Sequence, residues 1–276
     1  AAGGDIINGG NLTYSSANAW GVTGRDVTFG GTGSLTSSVA YTGGTLTVNA
    51  GANAQISNTG NLAYATTTGT GAIIQTAGSS SSLLNLGNAS GFTGNLQNRG
   101  FVGGTNTGVQ FSSLGDGGAL QFAGGNSDST QAATFAYNGT GTLTFDTRQV
   151  QILDRLSGNW EFRDNTLANN SSNTGTNNWV INTDLLVTGG RWITAFGGSA
   201  QGGRLFILSG TNTAANAFNG VISNGTNPNG IGVSKTGVGT WSLGGANTYT
   251  GGTSVTGGTL QIGNGGTTGR LTATTS

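Results

Sequence analysis

The chain contains no cysteine, no histidine and no methionine among its 276 residues, and only one proline. Without thiols there is no disulfide framework and no redox motif, so cysteine usage does not identify a compartment. Without histidine or cysteine, nucleophilic catalysis of the Ser-His or Cys-His kind is excluded, and zinc sites fail for want of ligands. Charge is scarce as well: 7% of residues are charged, nine of each sign, for a net charge of zero, against a usual share of about 25%. No electrostatic footprint for nucleic acid or an anionic membrane exists. A neutral surface also has little repulsion to oppose self-association. No apolar run reaches the roughly 18 residues that a membrane-spanning helix needs, so no membrane insertion is expected.

Glycine is what the chain has in excess, at 55 residues, about three times the usual share of ~7%. The Gly-X-Y period of collagen is absent. Disorder is disfavoured because apolar residues alternate inside the glycine-rich tracts and the charge that solvates a disordered chain is missing. The glycines therefore read as corners, where a chain turns sharply with positive φ.

The recurring unit is Gly-x-apolar-x-apolar, which sends alternate side chains into one face of a short strand. It occurs at Gly10 to Tyr14, Gly44 to Val48, Gly60 to Tyr64, Gly118 to Phe122, Gly141 to Phe145, Gly158 to Phe162, Gly203 to Ile207, Gly239 to Leu243 and Gly258 to Ile262. The pentapeptide Tyr41-Thr42-Gly43-Gly44-Thr45 returns as Tyr249-Thr250-Gly251-Gly252-Thr253. Each piece is too short to bury anything alone, so its apolar residues must stack on equivalents from neighbouring coils. No stretch holds an apolar stripe at helical spacing for three turns, which predicts an all-β chain. At about 20 to 25 residues per coil, roughly a dozen irregular coils would form one β-solenoid domain over residues 1–276. With a strand spacing of ~4.8 Å the rod would be on the order of 60 Å long, around a column of Leu, Ile, Val and Phe.

One stretch carries more than architecture. Lys235-Thr236-Gly237-Val238-Gly239-Thr240, Ala246 to Thr253 and Gly257-Gly258-Thr259-Leu260-Gln261-Ile262-Gly263 together resemble the autotransporter-associated β-strand repeat of secreted or surface-displayed bacterial proteins. The resemblance covers residues 235–263. It implies a right-handed parallel β-helix that works outside the cell as scaffold, with no catalytic activity. The sequence departs from the passenger plan in showing neither a C-terminal membrane barrel nor a signal peptide.

Residues 146–164 differ from the rest, holding seven of the eighteen charges with Gly158 as their one glycine. Arg148, Asp154, Arg155, Glu161, Arg163 and Asp164 are candidate lateral charge contacts between copies. Asn165 to Asn178 reads as a polar loop, and residues 146–178 are the best candidate for an internal boundary. Asp154, Glu161 and Asp164 are the densest set of carboxylates for a polysaccharide-cleaving β-helix, which needs two of them as acid and base or nucleophile. Strand alternation that turns Trp160 and Phe162 inward turns Glu161 outward, where a surface ion pair accounts for it. Leu114-Gly115-Asp116-Gly117-Gly118 looks like a calcium turn, but a single copy cannot supply six oxygens and a plain turn explains it. Lys235-Thr236-Gly237 spells a motif of penicillin-binding enzymes that also require a second lysine, and Lys235 is the only one. Thr45/Thr47 and Thr142/Thr144 are too few and too irregularly spaced for an ice-binding lattice, and strand propensity accounts for them. Asn-x-Ser/Thr sequons at Asn11, Asn88, Asn138, Asn170 and Asn224 match chance in so polar a chain.

Parallel coils leave an open strand edge at each end of a rod, which must be capped or paired. No capping helix or terminal proline is visible, and Asp5 and Arg270 are the nearest charges. The expectation is an extracellular, surface-located structural protein whose copies associate into a fibre or layer. Ile6, Ile7 and Leu12 are the candidate contacts at one end, and Leu260, Ile262 and Leu271 at the other. The alternatives are an adhesin passenger fragment presenting loops to a glycan or host surface, and, last, a polysaccharide-active enzyme. No cofactor and no metal are expected.

Overall fold

The computed structural model describes residues 4–15, 24–77, 82–99, 108–123, 132–153, 164–172, 176–188, 204–227, 230–265 and 267–271. None of these residues is helical. Alternating apolar residues and glycine corners instead produce strands of two to eight residues, each paired in parallel with the strand one coil away. A parallel pair cannot be closed by a hairpin, so the chain travels once round the rod between partners. The result is the parallel β-solenoid that the sequence predicts.

The first sheet has thirteen strands. Its main path stacks eleven, from Asp5–Ile7 to Thr253–Val255, close to the expected dozen coils. The second sheet, of eight strands, runs from Asn11–Tyr14 to Leu185–Val187, and the third, of five, from Leu143–Phe145 to Thr259–Ile262. The cross-section therefore changes along the rod. Early coils use the first and second sheets: Tyr41 pairs with Leu62 and Leu62 with Leu84, a step of about 20 residues. Near residues 143–187 all three sheets are present, and Asp164 pairs with Leu205, a step of about 40. The side formed by the second sheet then continues sparsely, through the bridge Leu185 to Ile222 and the pair Ala246–Asn247 with Arg270–Leu271. In the first sheet Ala132–Tyr137, Asp164–Asn169 and Arg204–Gly210 pair in order.

Register converts the alternation into columns. Leu62, Leu84, Val109, Phe135, Leu167 and Leu208 lie one above another in the first sheet, and all are buried. Ile73, Leu96, Leu120, Val150 and Leu185 form the matching column of the second sheet. Phe145, Ile181, Phe218, Leu243 and Ile262 form that of the third. Each fully buried side chain contributes roughly 1.5 to 3 kcal/mol. Tryptophan joins the core too: Trp179 lies 5.8 Å from Phe111, 5.9 Å from Phe145 and 6.1 Å from Trp241, ring to ring.

The Gly-x-apolar-x-apolar unit holds at most of its positions, with one shift of register. Leu205 and Ile207 are half-buried, while Phe206 and Leu208 point inward. Arg204 shares that inward face, with an Nη atom donating to the Leu153 carbonyl at 3.1 Å. The unit at Gly158 to Phe162 lies outside the described residues.

Corners need glycine where backbone meets backbone. A Cβ on Gly94 would stand 1.7 Å from the Gly71 carbonyl oxygen, and one on Gly118, at φ +59°, would stand 2.5 Å from that of Gly94. No side chain fits such a stack. The duplicated pentapeptides are placed differently: Tyr41 opens the first-sheet strand Tyr41–Val48, whereas Tyr249 lies ahead of Thr253–Val255.

Candidate functional site

The chemistry of the described residues is concentrated inside the rod. Arg148, expected at a lateral contact, is instead wholly buried. Its Nε donates to the Gly115 carbonyl at 2.7 Å, and its two Nη atoms donate to Gly94 and Phe92 at 3.0 Å each. Tight corners turn these carbonyls inward, where water cannot reach them. The guanidinium satisfies three from two preceding coils, and its planar fork suits the task where a lysine would not. Burial draws the Arg148 guanidinium below its ordinary range to about 10, with the Asp116 carboxylate opposing the shift. The group therefore stays charged at neutral pH.

Asp116 completes this anchor from outside. Its carboxylate accepts from the backbone amides of Asp146, Thr147 and Arg148 at 3.0, 3.0 and 2.7 Å. Burial works to raise its pKa, and the amides of Arg148, Thr147 and Asp146 outweigh that and hold it below the usual range. The fragment that looks like a calcium turn thus spends its carboxylate on the next coil's backbone. Among the described residues no three metal-ligating side chains cluster.

Lys235 plays a similar part at the head of the repeat-like segment. It continues the Leu167–Leu208 column yet is fully buried, and its Nζ donates to the carbonyls of Thr236, Gly237 and Gly257 at 2.6, 2.9 and 3.0 Å. Burial lowers its pKa. Gly258, at φ +66°, must lack a side chain because a Cβ there would stand 2.3 Å from the Gly239 carbonyl oxygen and 2.6 Å from that of Gly237. The Lys-Thr-Gly and Gly-Gly-Thr elements are two halves of one corner.

Asn165 to Asn178 is only partly the loop expected. Asp164–Asn169 is a strand, and Asn165, Asn169, Ser171 and Asn177 are buried. Asn169 donates to Asn216 at 2.6 Å and to the Asn177 carbonyl at 2.8 Å, while Asn216 accepts from the Trp179 amide at 2.9 Å and donates to the Thr240 carbonyl at 3.0 Å. The network ties consecutive coils together inside the rod, and burial keeps these residues from being offered to a partner. The spacing Asn165-x-Leu167-x-Asn169, which puts both asparagines on the face of a core leucine, was the available signal. Nothing in local sequence marked Arg148.

Of the other charge candidates, Asp164 is half-buried at the start of its strand, opposite Ala132 and Leu205. Asp154, Arg155, Glu161 and Arg163 lie outside the described residues. At the ends, Ile6 is 72% exposed, but Ile7 is buried and Leu12 packs partly buried against the core. Ile7 is thus corrected from an interface residue to a core residue, stacked on Phe29. Leu260 is also partly buried against the core. Ile262 is 42% and Leu271 39% exposed, and Val255, at the foot of the Leu208–Lys235 column, is 54% exposed.

The threonines gain an order that their spacing in sequence hides. Thr45 and Thr47 lie beside Thr66 and Thr68, and Thr28 beside Thr47. The array ends at Asn88 and Gly91, and Thr142 lies outside the strands.

Comparison with known families matches one segment, residues 233–262, to the passenger-associated transport repeat. No curated protein and no solved structure matches the chain.

Proposed function

We propose that this chain, which carries a passenger-associated transport repeat at residues 233–262, is the β-helical scaffold of a passenger-type extracellular protein. Its role is mechanical: a rod of zero net charge displayed outside the cell, with no chemical step. Support comes from the placement of the repeat, whose Lys235 corner and glycines build the last stacked coils on the same first and third sheets as the rest. Copies associate through the edge strands Thr253–Val255 and Thr259–Ile262. The observation that carries this is the emergence of two core columns at one surface. Val255 and Ile262 stand in line with Leu208 and Leu243, yet they are exposed. An exposed apolar strand edge favours addition of a strand from another copy.

Sedimentation velocity and electron microscopy over a range of concentrations test the reading, on the chain and on V255K/I262K. Rods that lengthen with concentration, and stay single in the double variant, are expected. Single rods at every concentration would overturn self-association and leave the scaffold role alone. The alternative is an adhesin passenger presenting loops to a glycan or host surface, which the buried Asn165, Asn169 and Asn177 would not serve because they belong to the core network.

A further inference from the structure

Three of the five tyrosines meet near the first coils. The rings of Tyr14 and Tyr41 lie 4.8 Å apart at an interplanar angle of 36°, and Tyr41 and Tyr64 lie 6.5 Å apart edge to face. Gly43 makes room for them, since a Cβ there would stand 2.8 Å from the Tyr64 ring and 3.0 Å from that of Tyr41. These are ordinary distances for aromatic packing; what distinguishes the three is where their hydroxyl protons can go. Tyr14 donates to an Asp5 carboxylate oxygen at 3.2 Å, and the same oxygen accepts from Arg25 Nε at 3.1 Å. Tyr41 donates to the Arg25 carbonyl at 3.3 Å and is only half-buried. The Tyr64 hydroxyl is buried and has no hydrogen-bond partner among the described residues.

We propose that Tyr14 and Tyr41 form an oxidative cross-linking site, at which a one-electron oxidant outside the cell joins the two rings as dityrosine. A phenol loses its electron readily only when its proton has an acceptor within reach. That condition selects Tyr14, which faces a carboxylate, and Tyr41, which is open to solvent, over Tyr64. Each phenol gives up one electron and one proton. The two phenoxyl radicals couple through ring carbons ortho to the hydroxyls, and both rings regain aromaticity by releasing their ortho hydrogens to the phenolic oxygens. Two electrons and two protons leave in all; the oxidant takes the electrons, and Asp5 passes its proton to water. The bond ties the strand Asn11–Tyr14 to Tyr41–Val48, a staple for a chain that has no cysteine.

The test uses the intact chain, a photo-oxidised ruthenium tris-bipyridine complex and persulfate, which is reduced to two sulfates. Dityrosine fluorescence and peptide mass spectrometry read the product. The expected result is an intramolecular Tyr14–Tyr41 peptide pair, two hydrogens lighter, as the principal dityrosine species. Y41F and Y14F each abolish it, whereas Y137F leaves it unchanged. Circular dichroism melts of Y14F and Y41F show whether each variant is folded, and unfolding the parent chain in urea should disperse the coupling among other tyrosine pairs. A principal product that joins any other pair, or one that persists in urea with the same selectivity, overturns the assignment. So does an absence of dityrosine in the folded chain under conditions that couple free tyrosine.

Discussion

The coils before residue 143 and those after it solve the same stacking problem with different materials. Early coils are short, and their inward columns are mostly apolar, as in Ile7, Phe29 and Val48 on one side; where polar residues enter, as at Asn58, Thr67, Gln75 and Asn98, they are uncharged. Later coils carry a third sheet and longer corners, and their interior holds Arg148, Asn169, Asn177, Asn212, Asn216, Lys235 and Asn247, all buried. The difference follows from geometry. A two-sided coil of about 20 residues has few corners, and strand pairing satisfies most of its backbone. A wider coil turns more of its carbonyls inward at corners, and each needs a donor. Guanidinium, ammonium and carboxamide groups supply several donors from one residue. Later coils are thus held by polar anchors as much as by apolar burial.

That contrast breaks most sharply at Arg148. Replacing it with alanine orphans three buried carbonyls and should cost about 4 kcal/mol, measured by urea unfolding. Lysine should recover only part of the loss, because it lacks the planar fork. Leu84→Ala, in an early apolar column, should cost about 3 kcal/mol by the same measurement. If Arg148→Ala costs less than Leu84→Ala, polar anchoring of the later coils is wrong.

Raising the pH attacks the early coils instead. Burial raises the Tyr14 and Tyr64 hydroxyls above their unfolded value of 10.0, as do Tyr41 and Asp5, with Arg25 opposing the shift at Tyr14. The stability held by their neutral forms is fully present below that value and is lost as pH climbs from it through the folded values. Thermal melts should therefore fall above pH 10, and less steeply in Tyr64→Phe. The smallest effect belongs to the outer threonines, where Thr68→Val should change stability by no more than about 0.5 kcal/mol.

The legibility of the chain divides along the same line. The columns could be read because Gly-x-apolar-x-apolar places a corner and a face in five residues, and the parallel coil follows from strands too short to stand alone. Leu205 and Ile207 misled by one position because their stretch is apolar at four successive residues, Leu205 to Leu208, and either alternation was open. Arg148 could not be read, since its acceptors, Phe92, Gly94 and Gly115, are more than thirty residues distant in sequence. The Thr45 and Thr47 array was hidden for a related reason: irregular corner lengths conceal a regular register. Lys235 was legible as part of a family pattern, while its role as a donor inside the corner required the coil to be closed.

In-register parallel stacking underlies every one of these assignments, and a chain without cysteine is suited to testing it. Thr144 lies opposite Val180 in the third sheet, and Asn178 is displaced by two residues along the same strand direction. In-register Cα atoms about 4.8 Å apart suit a disulfide, whereas a two-residue offset puts them beyond about 7 Å. The measurement is the rate of disulfide formation in T144C/V180C against T144C/N178C under mild oxidation. Rapid closure of the first pair with little of the second is the predicted result. Equal rates, or faster closure of the offset pair, would contradict the stacked register and the columns built on it.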